Sequence, residues 1–286
     1  MYLCSELHFI PMTDVIHQLV NGQARKDLDI QDRGLSYGHG VFETLKISAG
    51  QVVLWYEHLE RLVTSCQRLK ILTDNLQKDL ESDLLQLPVQ DQAVLKIIIT
   101  AGVGGRGYQA PDNVTPSRIV QIFPYPVYSD QPEQLGIRAR WCQIQLSSAP
   151  LLAGMKHLNR LEQVLARSEW SDSSIKEGIV CGSDGFLAEG TMSNLFLIKN
   201  GVLKTPVLCS YGVEGIMRNY LLDLARANNI PVEVTQLTKT DLLSADEAFF
   251  CNSLIEIWPL HQLDEHRFEI GPITRKLQSL LKAESL

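Results

Sequence analysis

Between Pro124 and Pro132 the chain reads PYPVYSDQP, and these three prolines constrain the fold more than any other feature. Proline fixes φ and has no amide hydrogen, so neither a helix nor an interior strand continues through the stretch. The chain therefore divides into a smaller N-terminal domain over residues 1–124, a linker over 125–132, and a larger C-terminal domain over 133–286. With 286 residues in all, each part is long enough to bury a core of its own.

Hydrophobic periodicity fills in both parts. Val41 to Ile47 alternates apolar and polar residues, Ser48-Ala49-Gly50 turns, and Val52 to Trp55 returns, which predicts a hairpin. Leu59, Leu62, Val63, Cys66 and Leu69 follow at helical spacing, and Leu76, Leu80 and Leu84 mark a second amphipathic helix. The β-branched runs Ala93 to Thr100 and Arg118 to Phe123 predict buried strands. In the second part a strand is expected over Gly136 to Gln145 and a helix over His157 to Trp170. Hairpins should turn at Gly182-Ser183-Asp184-Gly185 and at Asn200-Gly201, the latter suiting a type I′ turn. A helix through Tyr220, Leu221, Leu224 and Ala225 should end near Asn228, with strands near Val232 and Ala248 and a last helix from Pro272. The expected class is mixed α/β, of the α+β kind, in two unequal domains.

Charge and cysteine usage narrow the function. A formal net charge of −7 and a pI near 5.5 do not suit a nucleic-acid partner, so any phosphate must be met locally. The six cysteines, at 4, 66, 142, 181, 209 and 251, show neither metal-type nor C-x-x-C spacing, so no metal site is expected and reduced thiols in a cytoplasmic protein are. No run approaches the roughly 18 apolar residues of a membrane helix, and no secretory pattern opens the chain.

Two motifs match but lack their context. Gly34-Leu35-Ser36-Tyr37-Gly38 fits a nucleophile elbow, yet polar residues precede it and a strand follows where a helix is needed. Gly102-Val103-Gly104-Gly105-Arg106-Gly107 fits a dinucleotide loop, but Pro111 and Pro116 prevent the helix that would hold a pyrophosphate.

The chain does carry the groups that pyridoxal phosphate chemistry requires: a lysine amine, a carboxylate for the pyridine nitrogen and an anion cradle. Lys156 follows the small residues Ala153-Gly154 just ahead of an expected helix. Glu189 ends a hairpin strand among small residues in GFLAEGTMSN, where a ligand can approach closely. YGVEGIMR, residues 211–218, places two glycines directly before a helix, whose free amides suit a phosphate. Taken singly, each has a plainer reading: a solvated lysine, a turn carboxylate, a capped loop.

In order along the chain, SYGHGVFET, HLERL, GVGGRGY, KHLNRLEQ, AEGTMSNLF, GVEGIMR and CNSLIEIWP resemble the fold-type IV pyridoxal phosphate enzymes over about residues 18 to 282. That family includes branched-chain aminotransferases, D-amino acid aminotransferases and aminodeoxychorismate lyases. The resemblance implies a two-domain, D-amino acid aminotransferase-like fold, pyridoxal 5′-phosphate as cofactor, and a homodimer with the site near the subunit interface. It implies that Lys156 holds the cofactor and moves the proton, and that Glu189 pairs with the ring nitrogen. Arg61 grips the phosphate with the backbone of Gly215 and Ile216 and with Ser253. Asn252 and Asn194 orient these groups, Thr44 lies nearby as a proton donor, and Arg106 clamps a substrate carboxylate. Without the resemblance, Arg61 reads as a surface ion pair on a helix and Arg106 as a solvated loop residue.

Within the family, KHLNRLEQVLARS and GVGGRGYQAP are most similar to the lyase branch. That implies β-elimination from 4-amino-4-deoxychorismate to 4-aminobenzoate and pyruvate, a step of folate biosynthesis. Leu161 stands where the branched-chain enzymes usually have tyrosine. The alternative is an aminotransferase on the same fold; a non-catalytic cofactor- or ligand-binding protein is a distant one, disfavoured by Lys156, Glu189 and Arg61. The chain departs from the family at His39, in Gly-His-Gly where Gly-Asp-Gly is usual, and at Met1 to Asp14, which runs ahead of the family's usual start.

Overall fold

The computed structural model describes residues 14–112 and 114–284; apart from Asp14, the extension Met1 to Asp14 lies outside the described residues. From the N-terminal side, β1 (His17–Val20), α1 (Arg33–Tyr37), β2 (Gly40–Ser48) and β3 (Gln51–Val52) precede the helices α2 (Trp55–Arg68) and α3 (Leu76–Gln86). β4 (Gln92–Thr100) and β5 (Ser117–Pro124) then complete a five-stranded sheet in the order β1-β5-β4-β2-β3, antiparallel throughout. Alternate residues of β2 (Val41, Leu45, Ile47) and β4 (Leu95, Ile97, Ile99) make one apolar face, covered by Leu59, Leu62 and Cys66 of α2 and Leu80 of α3. Burying one such side chain contributes about 1.5–3 kcal/mol, against propensity differences of at most about 0.7 kcal/mol per ordinary residue. Tertiary burial therefore holds these helices. The returning strand is shorter than its sequence suggests, because Leu54 at φ 51° turns the chain and makes Trp55 the first residue of α2.

Residues 125–131 lead to the second sheet and are tied to it, since Tyr125 donates its hydroxyl to the Leu254 carbonyl and Tyr128 meets Trp258 edge-on at 4.7 Å. Next come α4 (Pro132–Leu135), β6 (Ile137–Leu146), α5 (Leu161–Arg167), β7 (Ile175–Gly182), β8 (Leu187–Gly190), β9 (Asn194–Lys199) and β10 (Val202–Pro206). They are followed by α6 (Ile216–Ala227), β11 (Val232–Thr235), α7 (Lys239–Leu243), β12 (Glu247–Asn252), β13 (Glu256–Leu263), β14 (His266–Arg267) and α8 (Pro272–Ala283). The nine strands run β11-β10-β9-β12-β13-β6-β7-β8, with β14 paired to β13. Asn200 and Gly201, at φ 51° and 77°, form the positive-φ turn between β9 and β10 that the Asn-Gly pair favours. β9 and β12 are buried on both faces: Phe196 and Phe249 stack at 5.0 Å in a core shared with α6 and α8, while Leu195, Leu197 and Phe250 pack on the other side. Two-sided burial explains the unbroken apolar runs in these strands.

The helix expected over His157 to Trp170 is confined to α5, and the reason is backbone pairing. The Phe42 amide donates to the Lys156 carbonyl and the Leu158 amide to the Gly40 carbonyl, each at 2.9 Å, so residues 156–158 lie extended along β2. On the other side Gly154 pairs with Val213. Lys156 is thus strung between the two sheets.

Candidate active site

A cavity of about 540 Å³ opens at this junction. Strand periodicity sets its first wall: Val41, Glu43, Leu45 and Ile47 point one way along β2, so Phe42 and Thr44 point the other, into the cavity. Lys156, Glu189, Arg61, Gly215, Ile216, Asn252 and Ser253 also line it. Arg106 does not.

The Lys156 ammonium lies over the Phe42 ring, 4.5 Å from its centroid. Burial, followed by the nearby guanidinium of Arg61, pushes its pKa down to about 8, with Arg160 adding to the effect and Glu43 and Glu189 opposing it. A primary amine in that range is an accessible base. Glu189, at 5% exposure, accepts from the Val213 amide at 2.8 Å and is met by the Gln163 side-chain amide at 3.5 Å. Burial pushes its carboxyl above the usual range, while the Val213 amide, Arg160 and Lys156 pull against that. The turn after it is held by Glu177. That buried carboxylate accepts from the Thr191 amide at 2.8 Å, from the Thr191 hydroxyl at 2.5 Å and from the Ser193 hydroxyl at 2.6 Å.

Arg61 is not a surface ion pair. Its Nε and Nη2 donate to the two carboxylate oxygens of Glu43 at 2.7 and 2.5 Å, and Nη1 donates to the Glu214 carbonyl at 2.7 Å. With three of five N–H groups engaged, two remain for a ligand. Burial alone would raise the Glu43 carboxyl, but the Arg61 charge, with hydrogen bonds from His58 and Arg61, overrides it and holds the pKa at about 2. Since that carboxylate only accepts, His58 Nδ1 donates to it at 2.7 Å, and Nε2 faces the Ser253 hydroxyl at 3.1 Å. Glu43, His58 and Ser253 thus form a chain that fixes Ser253 in the wall. Opposite, Gly215 stands just ahead of α6 as its N-cap and makes no side-chain cap hydrogen bond. The first amides of α6 therefore lack intrahelical partners and stand beside Arg61 at the cavity. Asn252 is occupied with backbone, donating to the Met192 carbonyl at 3.0 Å and accepting from the Leu254 and Ile255 amides at 2.8 and 2.9 Å. Asn194 donates to the Val213 carbonyl at 2.9 Å.

Arg106 is exposed on the glycine-rich loop. Arg33 pins that loop, donating to the Gly107 and Tyr108 carbonyls at 2.9 and 2.7 Å. His39 serves the same region: Nε2 donates to the Leu69 carbonyl at 2.9 Å, which leaves Nδ1 to accept from Arg33 Nε at 3.3 Å. Ser36 sits in α1, ahead of a strand, in no nucleophile elbow. Sequence reasoning did not single out Glu43, His58, Glu177, Arg160 or Gln163. For Glu43 a signal existed, because an acid at an apolar position of an alternating strand demands a buried partner.

Residues 40–263 match the family model for amino-transferase class IV. An aminodeoxychorismate lyase of Vibrio harveyi is 35% identical over 266 residues, spanning 92% of this chain and 98% of that protein. A D-alanine aminotransferase of Bacillus licheniformis is 30% identical over 268 residues, covering 89% of this chain and 90% of that protein. The crystal structure of 4-amino-4-deoxychorismate lyase from Pseudomonas aeruginosa superposes with a TM-score of 0.90 at 42% identity, covering 93% of this chain and 98% of that one.

Proposed function

The chain belongs to the amino-transferase class IV family, and from that premise we propose that it is a pyridoxal phosphate-dependent lyase that converts 4-amino-4-deoxychorismate into 4-aminobenzoate and pyruvate. The observation that carries this reading is its likeness to aminodeoxychorismate lyases over 98% of their lengths. Leu161, which is 68% exposed, adds support, since it offers no hydroxyl where the branched-chain enzymes have tyrosine.

The donor set fits the cofactor: an amine of lowered pKa, a buried carboxylate, and a guanidinium beside an uncapped helix start surround one cavity. Lys156 would hold it covalently, Glu189 would face its ring nitrogen, and Arg61, Ser253 and the amides after Gly215 would hold its phosphate. When bound, pyridoxal phosphate supplies an electron sink that acidifies the carbon bearing the substrate's amine. Lys156, its amine set free when the substrate's amine takes its place on the cofactor, would take the proton from that carbon. The enolpyruvyl oxygen leaves the adjacent carbon with its bonding pair, the ring becomes aromatic, and the released enolate takes up a proton at its methylene carbon to give pyruvate. Thr44, on the same wall, would serve as a proton donor.

The decisive experiment supplies 4-amino-4-deoxychorismate and no keto acid. Equal amounts of 4-aminobenzoate and pyruvate should accumulate over many turnovers, because elimination leaves the cofactor in the form that began the cycle. A single burst that resumes only on adding a keto acid would mark an aminotransferase instead.

The protein is also proposed to be a homodimer. Leu161, Val164 and Leu165 of α5 and Met192 are all at least 50% exposed, and Val164 and Met192 line the cavity; clustered exposed apolar groups of this kind mark contact surfaces. Light scattering should give twice the 32.1 kDa chain mass; a fully active monomer would refute this.

A further inference from the structure

Arg160, whose charge lowers the pKa of both Lys156 and Glu189, lines the same cavity as they do, and no ligand contact has yet been assigned to it. Its Nε donates to the His157 carbonyl at 2.9 Å. Among the described residues, its Nη atoms have neither hydrogen-bond nor ion-pair partners. A half-buried guanidinium with its fork unused is costly unless an anion meets it. Burial lowers its pKa, with Glu189 and Glu162 opposing, yet a guanidinium does not give up its proton in a protein, so the charge stays in the cavity wall.

α5 repeats the arrangement. Arg160 precedes it, and Gln163, Val164 and Arg167 follow at +3, +4 and +7, all lining the cavity, as one helical face requires. Arg167 is steadied by stacking on Trp170, 4.6 Å from the ring centroid, and by donating to the Trp170 carbonyl at 3.0 Å. Seven residues of helix put the two arginines about 10 Å apart along its axis. Between them, Gln163 turns its amide nitrogen to Glu189, and among the described residues its buried Oε1 has no donor. This wall presents two cations and one unfilled acceptor to whatever lies over Lys156.

We propose that Arg160 and Arg167 bind the two carboxylates of the substrate, one at each end of this helical face, so that recognition within one chain is carried by α5 and not by Arg106. The inference rests on the lyase reading, whose substrate bears one carboxylate on the ring carbon opposite the amine and another on the enolpyruvyl group. Bidentate guanidinium–carboxylate contacts suit such a molecule, and the ring would span the gap between them.

The test compares Arg160→Gln, Arg167→Gln, Arg160→Lys and Arg106→Ala holoenzymes with the wild type. Each glutamine variant should raise KM for aminodeoxychorismate about 10- to 100-fold, the loss expected for one charged hydrogen-bonded partner, with cofactor absorbance and kcat changed much less. Arg160→Lys should recover part of the loss. Chorismate, which has the same carboxylates and a hydroxyl in place of the amine, gives a second readout by calorimetry that needs no turnover, and its affinity should fall in parallel. Unchanged KM and chorismate affinity in both glutamine variants would overturn the proposal. So would a loss confined to Arg106→Ala, or a bleached cofactor with unchanged KM in Arg160→Gln, which would assign Arg160 to the cofactor. A wild type that binds chorismate but releases no 4-aminobenzoate would defeat the lyase reading alone.

Discussion

Arg61→Ala should lower the stability of the cofactor-free protein by about 3–5 kcal/mol, the cost of stranding one member of a buried ion pair. The pair is well inside: the Glu43 side chain is 2% exposed and that of Arg61 13%. The substitution leaves Glu43 with His58 alone, in a place where burial already works against its charge. The comparison to make is a cycle of urea unfolding curves on Arg61→Ala, Glu43→Gln and the double variant. In the Glu43→Gln background the arginine should matter much less, since no carboxylate is left unpaired. Acidity gives the same result in another form. The folded pKa of about 2 lies below the ordinary 4.5, so the Glu43 contribution is complete above pH 4.5 and fades as pH falls toward 2. The gap between wild type and Arg61→Ala should close over that window. A loss under about 1 kcal/mol at pH 7 would put the pair in the class of surface ion pairs. Cofactor retention should also weaken, because the phosphate loses the same guanidinium.

This double duty was invisible in HLERL, which shows an arginine at helical spacing and nothing of its partner 18 residues upstream on a strand. Local pattern did identify most elements: the spacing of Leu59, Leu62 and Cys66 and the Asn200-Gly201 turn each depend on residues near in sequence. Where it misled, a long-range contact had won. Lys156 to Leu158 has no helix-breaking residue, yet pairing with β2 holds it extended. β1 is four residues long and is held by pairing with β5, about a hundred residues away. The site followed the same rule. Small neighbours and turn context mark Lys156 and Glu189 as candidates, and both line the cavity, whereas Arg160 stands out only in the fold, where its Nη atoms have no partner among the described residues. Asn252 lines the cavity, and its side chain also holds backbone, donating to the Met192 carbonyl and accepting from the Leu254 and Ile255 amides.

Lys156→Met should abolish turnover, a drop on the order of 10⁴-fold or more when a covalent anchor and a general base are lost together, and yet make the cofactor-free protein more stable at pH 7. The second effect follows from the same burial that suits the amine to its task. Its folded pKa of about 8 lies below the ordinary 10.5, so between those values the unfolded chain binds the proton that the folded chain has released, and stability rises with pH. Below pH 8 the folded protein carries the full penalty of a poorly solvated cation, and above 10.5 none. Methionine keeps the aliphatic stem against Phe42 and removes the charge, so it should gain about 1–3 kcal/mol at pH 7, less than the full shift because Lys156 is only half-buried. The advantage should shrink through pH 8 to 10.5 and vanish beyond. Thermal unfolding of both cofactor-free proteins across that range tests the sign. Borohydride treatment of the loaded wild type should label Lys156 and leave the variant unlabelled. A variant less stable than wild type at pH 7, or equally labelled, would remove Lys156 from the centre of the site.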